Sequence, residues 1–95
     1  MDKKKIARLR RRVEELRRRG GVHASELERL ASAVGRKRYP RGKEPTWVSS
    51  LLPNARPLSI PSHPGDLNRF TVRAILDQLE ADIDALDRIG GRESE

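Results

Sequence analysis

The chain has no cysteine and only three aromatic residues, Trp47, Tyr39 and Phe70. Without cysteine there is no disulfide framework and no thiolate zinc site, and this composition is typical of a reducing cytosol. With so few aromatic residues, the core of one small domain must be mainly aliphatic. No apolar run approaches the roughly 18 residues of a membrane span. Arginines interrupt the first apolar residues, so we expect no signal peptide and a cytoplasmic protein.

The positive charge is concentrated at the N-terminus. The chain has a formal net charge of +7, and residues 1–19 account for all of it, because the lysines and arginines of residues 20–95 equal the acidic residues in number. A cationic segment attracts polyanions, and RNA or DNA is the first candidate. The alternative is a solvated helix face that keeps the protein soluble.

Apolar residues at three- and four-residue spacing predict an amphipathic helix over residues 2–19, ended by Gly20-Gly21. Its apolar stripe consists of Ile6, Leu9, Val13 and Leu16. The stripe is too short for a free coiled coil, so it must pack on the domain, on a second copy of the chain or on a partner. We assign it to partner binding or homo-oligomer assembly.

The rest of the chain predicts two further helices around three short strands. The second helix is expected to begin at Ser25, where Ser25 and Glu28 match a capping box, and to end at Gly35. Residues 36–61 predict three antiparallel strands. The third helix is expected from Asn68 or Thr71 to Ile89, ended by Gly90-Gly91. Its acidic outer face can balance the basic first helix, within the chain or across a dimer. That face consists of Asp77, Glu80, Asp82, Asp84 and Asp87.

Three segments in the second half resemble the HicA family of toxin–antitoxin mRNA interferases. They are Arg41 to Trp47, Ile60 to Gly65 and Phe70 to Leu79. The resemblance covers residues 24–80 and implies an α+β, double-stranded-RNA-binding-like αβββα fold. We therefore expect a basic N-terminal helix over residues 1–21, a HicA-like domain over residues 22–90 and a frayed tail over residues 91–95. Phe70 stands where the family usually has glycine.

The resemblance also implies a function: RNA binding, metal-independent cleavage of mRNA, and neutralisation by a HicB-type antitoxin. The family's Gly-Ser-His reads here as Gly42-Lys43-Glu44, so Glu44 occupies the position of the catalytic histidine. A glutamate is ionised at neutral pH and suits a base better than an acid. His63 can supply the acid. The predicted catalytic pair is therefore Glu44 and His63.

Both residues also have a structural alternative, so whether the chain is an active endoribonuclease stays open. Glu44 can be a surface charge paired with Lys43 or Arg41. His63 can be a loop residue that only hydrogen-bonds the backbone. His23 precedes a helix start and is assigned no role. No metal or cofactor is predicted, because two histidines without cysteine and without a His-x-x-x-His spacing do not form a zinc site.

A basic cluster accompanies the first strand and the turn after it. We assign RNA binding to six residues: Arg36, Lys37, Arg38, Arg41, Lys43 and Trp47. The alternative for the charges is a solvated strand edge, and the alternative for Trp47 is a place in the core or in a partner contact. At the level of function, the alternatives are a catalytically degenerate RNA- or partner-binding module of the same fold, or an assembly protein that uses the N-terminal helix.

Overall fold

The structure, a computed structural model, describes residues 1–39 and 45–93. Over these residues the chain is α+β, in the order α1, α2, β1, β2, β3, α3. The helices are Lys3–Arg18, Ala24–Ala33 and Arg69–Glu93, and the strands are Arg36–Tyr39, Thr46–Ser49 and Leu58–Ser59. The part that follows α1 is compatible with the expected αβββα layout. None of the described helices combines the length and apolar character that a membrane crossing requires.

The three strands form an antiparallel sheet in the order β1-β2-β3. Arg38 pairs with Trp47, and Trp47 pairs with Leu58. Successive side chains of a strand point to opposite faces of the sheet. Trp47, Leu58 and Arg36 therefore share the face that is packed on the helices, where all three are buried. Lys37 and Tyr39 share the opposite face and are exposed.

One hydrophobic cluster joins all three helices to the inner face of the sheet. Its fully buried residues include Leu27 of α2, Ile60 after β3, and Leu79 and Ile83 of α3. These α3 residues follow the helical period, so the apolar stripe predicted for the third helix is confirmed. Aliphatic side chains supply nearly all of this core, as expected from the scarcity of aromatic residues.

Helix α1 packs along α3 as part of the same core. The side chains of its apolar stripe are 0–6 % exposed. The stripe consists of Ile6, Leu9, Val13 and Leu16, which we had assigned to partner binding or assembly. The structure corrects that assignment, because the apolar surface of these four residues is already covered within the chain.

Ion pairs flank the contact between α1 and α3. Arg10 donates to Asp84 at 2.5 Å and to Asp87 at 3.1 Å, and Arg17 donates to Asp77 at 2.7 Å. The hydrogen bond to Asp84 is the main reason why the pKa of Arg10 is raised above its ordinary value. The acidic face of α3 therefore balances the basic helix within the chain, which was one of the two arrangements expected.

The N-cap of helix α2 lies two residues before the one that the capping box predicted, and the helix itself begins at Ala24. Its N-cap is His23, and the backbone N–H of His23 donates to the Glu26 carboxylate at 2.9 Å. The guanidinium of Arg19 also binds that carboxylate. The His23 N–H is the main cause that lowers the pKa of Glu26, and Arg19 adds to it. The expected cap at Ser25 with Glu28 is wrong, because the chain turns helical before Ser25.

The C-terminal ends of α1 and α2 lie where glycine predicted them, and the end of α3 does not. Helix α2 stops before Gly35, which has φ of +93° and takes the left-handed conformation that glycine tolerates. Helix α1 ends before Gly20 as expected. The predicted end of α3 at Gly90-Gly91 is wrong, since the helix continues to Glu93. A Cβ atom on Gly90 would lie 3.1 Å from the carbonyl oxygen of Met1, so the glycine allows the N-terminal residue to approach the helix closely.

Candidate nucleic-acid interface

Arg36 is a structural residue and does not belong to the predicted RNA-binding cluster. Its guanidinium is fully buried and is held by Asp82, with Nε–Oδ2 at 2.6 Å and Nη2–Oδ1 at 3.0 Å. Nη1 also donates to the carbonyl oxygens of Trp47 and Arg56, each at 2.9 Å. Such a two-point arginine–carboxylate pair satisfies both charges inside the core. The structure therefore corrects the assignment of Arg36 to RNA binding, and it moves Asp82 from the acidic outer face into the core.

Trp47 is also part of the core. Its side chain is 6 % exposed, so its ring is not available to stack on a base. The indole Nε1 is buried and finds no hydrogen-bond partner among the described residues. The assignment of Trp47 to RNA binding is corrected in favour of the structural alternative.

The basic residues that remain accessible lie on and beside β1. Lys37 and Arg38 are exposed, and Tyr39 is 48 % exposed on the same open sheet face as Lys37. Cations beside an exposed aromatic ring are the usual combination at RNA-binding surfaces, since they contact phosphates and bases respectively. From the sequence, Tyr39 is assigned no role, although its place directly after three basic residues was a usable signal. Arg41 and Lys43, like Glu44, lie outside the described residues.

His63 shares a surface depression with the second histidine of the chain. The depression has a volume of about 410 Å³ and is lined by His23, Ser25, Glu28 and His63, among others. Both histidines are exposed. From the sequence, His23 is assigned no role because it precedes a helix start. His23 and His63 lie 40 positions apart in the sequence, and only the fold brings them to one site.

The backbone pairing beneath this depression positions His23. His23 forms an antiparallel bridge with Asp66, and the N–H of Leu67 donates to the carbonyl oxygen of Val22 at 2.9 Å. The Asp66 Oδ1 atom lies 3.4 Å from Nε2 of His23. A Cβ atom on Gly21 would lie 2.5 Å from that carboxylate, so a larger residue at position 21 would require the Asp66 side chain to move. The carboxylate can orient the imidazole of His23.

The depression therefore combines two imidazoles, a neighbouring carboxylate and open access. Imidazole is the side chain that most readily gives and takes a proton near neutral pH. Two of them in one site are suited to the two proton transfers of an acid–base reaction. Within residues 1–39 and 45–93, no group of three or more histidine or acidic side chains is arranged to hold a metal ion.

The candidate residues thus lie at two places. One is β1, where Lys37 and Tyr39 lie on the open sheet face and Arg38 is exposed on the other face. The second is the depression that holds His23 and His63. Three of the predicted site residues, Lys37, Arg38 and His63, are exposed at these two places and remain candidates. Comparison of the chain with protein-family models, with curated proteins and with solved structures finds no significant match in any of the three.

Proposed function

We propose that this chain is a HicA-like toxin component that binds RNA and cleaves it without a metal ion. The observation that carries the proposal is the placement of His63 and His23 in one depression. The α+β layout and the accessible cations of β1 support it as well. His23 adds to the predicted pair a second imidazole that the sequence did not indicate.

The chemistry requires two proton transfers. A base removes the proton of a ribose 2′-hydroxyl, and the resulting oxygen attacks the adjacent phosphorus. The bond from phosphorus to the 5′-oxygen breaks, and an acid protonates that oxygen. The products are a 2′,3′-cyclic phosphate and a 5′-hydroxyl end. One imidazole serves as base and the other as acid, and Glu44 is the further candidate for the base.

The proposed partner is a HicB-type antitoxin, and the proposed setting is the cytoplasm. Lys37, Arg38 and both histidines are exposed, and an acidic partner can contact them. Opposite charges on such a pair would steer association and fix its orientation. Covering the depression would block RNA from the imidazoles.

The test is incubation of the purified protein with a mixed RNA in EDTA. We expect slow cleavage that yields 2′,3′-cyclic phosphate ends, with a loss of about 100-fold or more in His63→Ala and in His23→Ala. Asp66→Asn is expected to show a smaller loss, since Asp66 acts only through His23. Arg29→Ala, a change of another exposed residue of α2, is the matched control and should retain full activity. Cleavage that survives both histidine substitutions would refute the assignment.

The second candidate is an RNA- or partner-binding module of the same fold without cleavage. Both imidazoles are open to solvent in the described structure, with the His23 side chain 53 % exposed. Acid–base groups are more effective in a site that excludes water, so this openness favours binding without chemistry. Intact RNA in EDTA, together with a clear mobility shift of the RNA, would identify this alternative.

A further inference from the structure

A groove runs between the C-terminal end of α1 and the N-terminal half of α3, with a volume of about 620 Å³. Its floor is apolar and includes Leu16 and Leu76, each 1 % exposed. Its rim carries the side chains of Arg17, Arg19, Arg69 and Arg73. We call it the arginine groove. Because α1 forms one wall, the groove lies partly outside the segment that resembles HicA proteins.

The four arginines differ in their partners. Arg17 and Arg19 are held in place by the carboxylates of Asp77 and Glu26 respectively. Arg69 and Arg73 have no carboxylate within ion-pair distance in the part of the chain that the structure describes. These two guanidinium groups retain their full charge and their donors, and they are suited to bind an anionic ligand.

An exposed aromatic ring stands among these arginines. Phe70 is 67 % exposed and lines the groove, although it is the chain's only phenylalanine and the core has few aromatic residues. The guanidinium of Arg69 lies over its ring, 5.2 Å from the centroid. A flat ring with a cation on one face is a platform on which a nucleobase can stack.

The arginine groove meets the histidine depression at the backbone pairing of two segments. Val22 and Leu67 line the groove, whereas His23 and Gly65 line the depression. The Leu67–Val22 hydrogen bond and the bridge at His23 join these two segments. A strand that occupies the groove therefore has a short path to the imidazoles.

We propose that the arginine groove binds an unpaired RNA segment and leads it to the histidine depression. One base stacks on Phe70, and the adjacent phosphates contact Arg69 and Arg73. This inference rests on the proposed RNA-binding function and names the form of RNA that is bound. Unpaired RNA is favoured over a duplex because stacked and paired bases cannot reach a side-chain ring. It is favoured over an acidic peptide because the ring and guanidinium together match a base and its phosphate.

The test uses a labelled 2′-O-methyl oligouridine of about 12 nucleotides. It lacks the 2′-hydroxyl nucleophile and cannot be cleaved, so fluorescence anisotropy reports binding alone. We expect Phe70→Ala to weaken binding at least about fivefold, because base–aromatic stacking contributes this much or more per base. Phe70→Trp should retain or raise the affinity. Ile89→Ala removes another exposed apolar side chain of α3 and should leave the affinity for the oligouridine unchanged.

The arginines are tested by the salt dependence of the same binding. Each phosphate contact contributes about 0.7 to the slope of log K against log salt for single strands. The double substitution Arg69→Gln/Arg73→Gln should therefore lower the slope by about 1.4. Arg88→Gln, a change of an exposed arginine further along α3, should lower it far less. A duplex of the same length should be nearly insensitive to Phe70→Ala.

The outcomes separate this inference from the function on which it rests. Unchanged oligouridine affinity in Phe70→Ala, with binding lost in Lys37→Ala/Arg38→Ala, would overturn the groove proposal and leave RNA binding intact. Failure of the unsubstituted protein to bind any RNA would overturn both. Binding of an alternating Glu–Leu peptide in place of the oligouridine, abolished by Phe70→Ala, would make the groove a protein-docking site and also overturn the proposal.

Discussion

Arg36 and Asp82 form a buried ion pair in which two guanidinium nitrogens bind the two oxygens of one carboxylate. The pair ties the first residue of β1 to the middle of α3, 46 positions away in the sequence. Because Arg36 also donates to two carbonyl oxygens, one residue fixes the sheet, α3 and the segment before β3 relative to one another.

Removing one partner of this pair should be strongly destabilising. We expect Arg36→Met or Asp82→Leu to lower the free energy of unfolding by about 3–5 kcal/mol, since each leaves an uncompensated buried charge. The double substitution should cost less than the sum of the two. Arg38→Met, two residues along the same strand and exposed, should cost under about 0.5 kcal/mol. Urea unfolding measures these differences, and equal costs for Arg36→Met and Arg38→Met would contradict the pairing.

The burial of the α1 stripe predicts that α1 is needed for folding. Leu16→Ala should lower the free energy of unfolding by about 2–5 kcal/mol, the range for truncation of a fully buried leucine. Leu51→Ala, at a leucine that is 50 % exposed, is the matched control and should cost much less. Thermal unfolding of the full chain checks both. A Leu16→Ala variant as stable as the unsubstituted protein, but with a changed oligomeric state, would restore the assembly interpretation.

The ion pairs between α1 and α3 should contribute little individually. The Arg10, Asp84 and Asp87 side chains are 39–49 % exposed, so solvent screens their interaction. Arg10→Gln should cost about 0.2–1 kcal/mol at low salt and almost nothing in concentrated salt. Arg11→Gln, at a neighbour with no carboxylate partner among the described residues, should show no such salt dependence. A cost for Arg10→Gln that salt does not reduce would point to packing and not to charge.

The Glu26 carboxylate predicts a pH dependence of stability. Its folded-state pKa is lowered, so its contribution is fully present above the unfolded-state pKa near 4.3 and is lost as pH falls through the folded-state value. Glu26→Gln should cost about 1 kcal/mol at neutral pH and much less in acid well below that window. Glu28→Gln is the matched control, since the capping box expected at Ser25 is not formed. Urea unfolding at both pH values distinguishes the two glutamates.

Substitution at Glu44 tests the correspondence with the HicA family. Glu44→His introduces the residue that HicA proteins have at the corresponding position, and we expect it to raise cleavage of mixed RNA by about 10- to 100-fold. Glu44→Ala should abolish cleavage only if the carboxylate is the working base. If Glu44→Ala has no effect while His23→Ala is inactive, the base is the imidazole of His23. The readout is the rate of formation of 2′,3′-cyclic phosphate ends.

Periodicity predicted the helices well because burial repeats along them. The stripe from Ile6 to Leu16 and the stripe of α3 were both readable from spacing alone, but spacing could not say what covers a stripe. Arg36 lies in a run of basic residues, which predicts an exposed position, and its partner Asp82 is distant in the sequence. Only the fold could show its burial. For the same reason His23 and His63 could not be joined by any local pattern.

Glycine pairs predicted helix ends correctly only where no tertiary contact continued the helix. Two consecutive glycines predict a helix end, and they do so after α1. At Gly90 the helix continues, and the missing side chain instead lets the carbonyl oxygen of Met1 approach. Phe70 stands where the HicA proteins that the chain resembles usually have glycine, and this difference was a usable signal. Only its exposure on the folded surface shows that the ring is not part of the core.

The packing of α1 on α3 has a consequence for the newly made chain. The residues that pair across this contact are separated by 60 positions between Arg17 and Asp77, and by 74 between Arg10 and Asp84. During synthesis α1 emerges long before α3, and until then its apolar stripe and its arginines are uncovered. Contacts of such long sequence separation form late and slowly. The nascent chain therefore passes through a stage in which a strongly cationic segment exposes apolar residues that α3 covers in the folded protein.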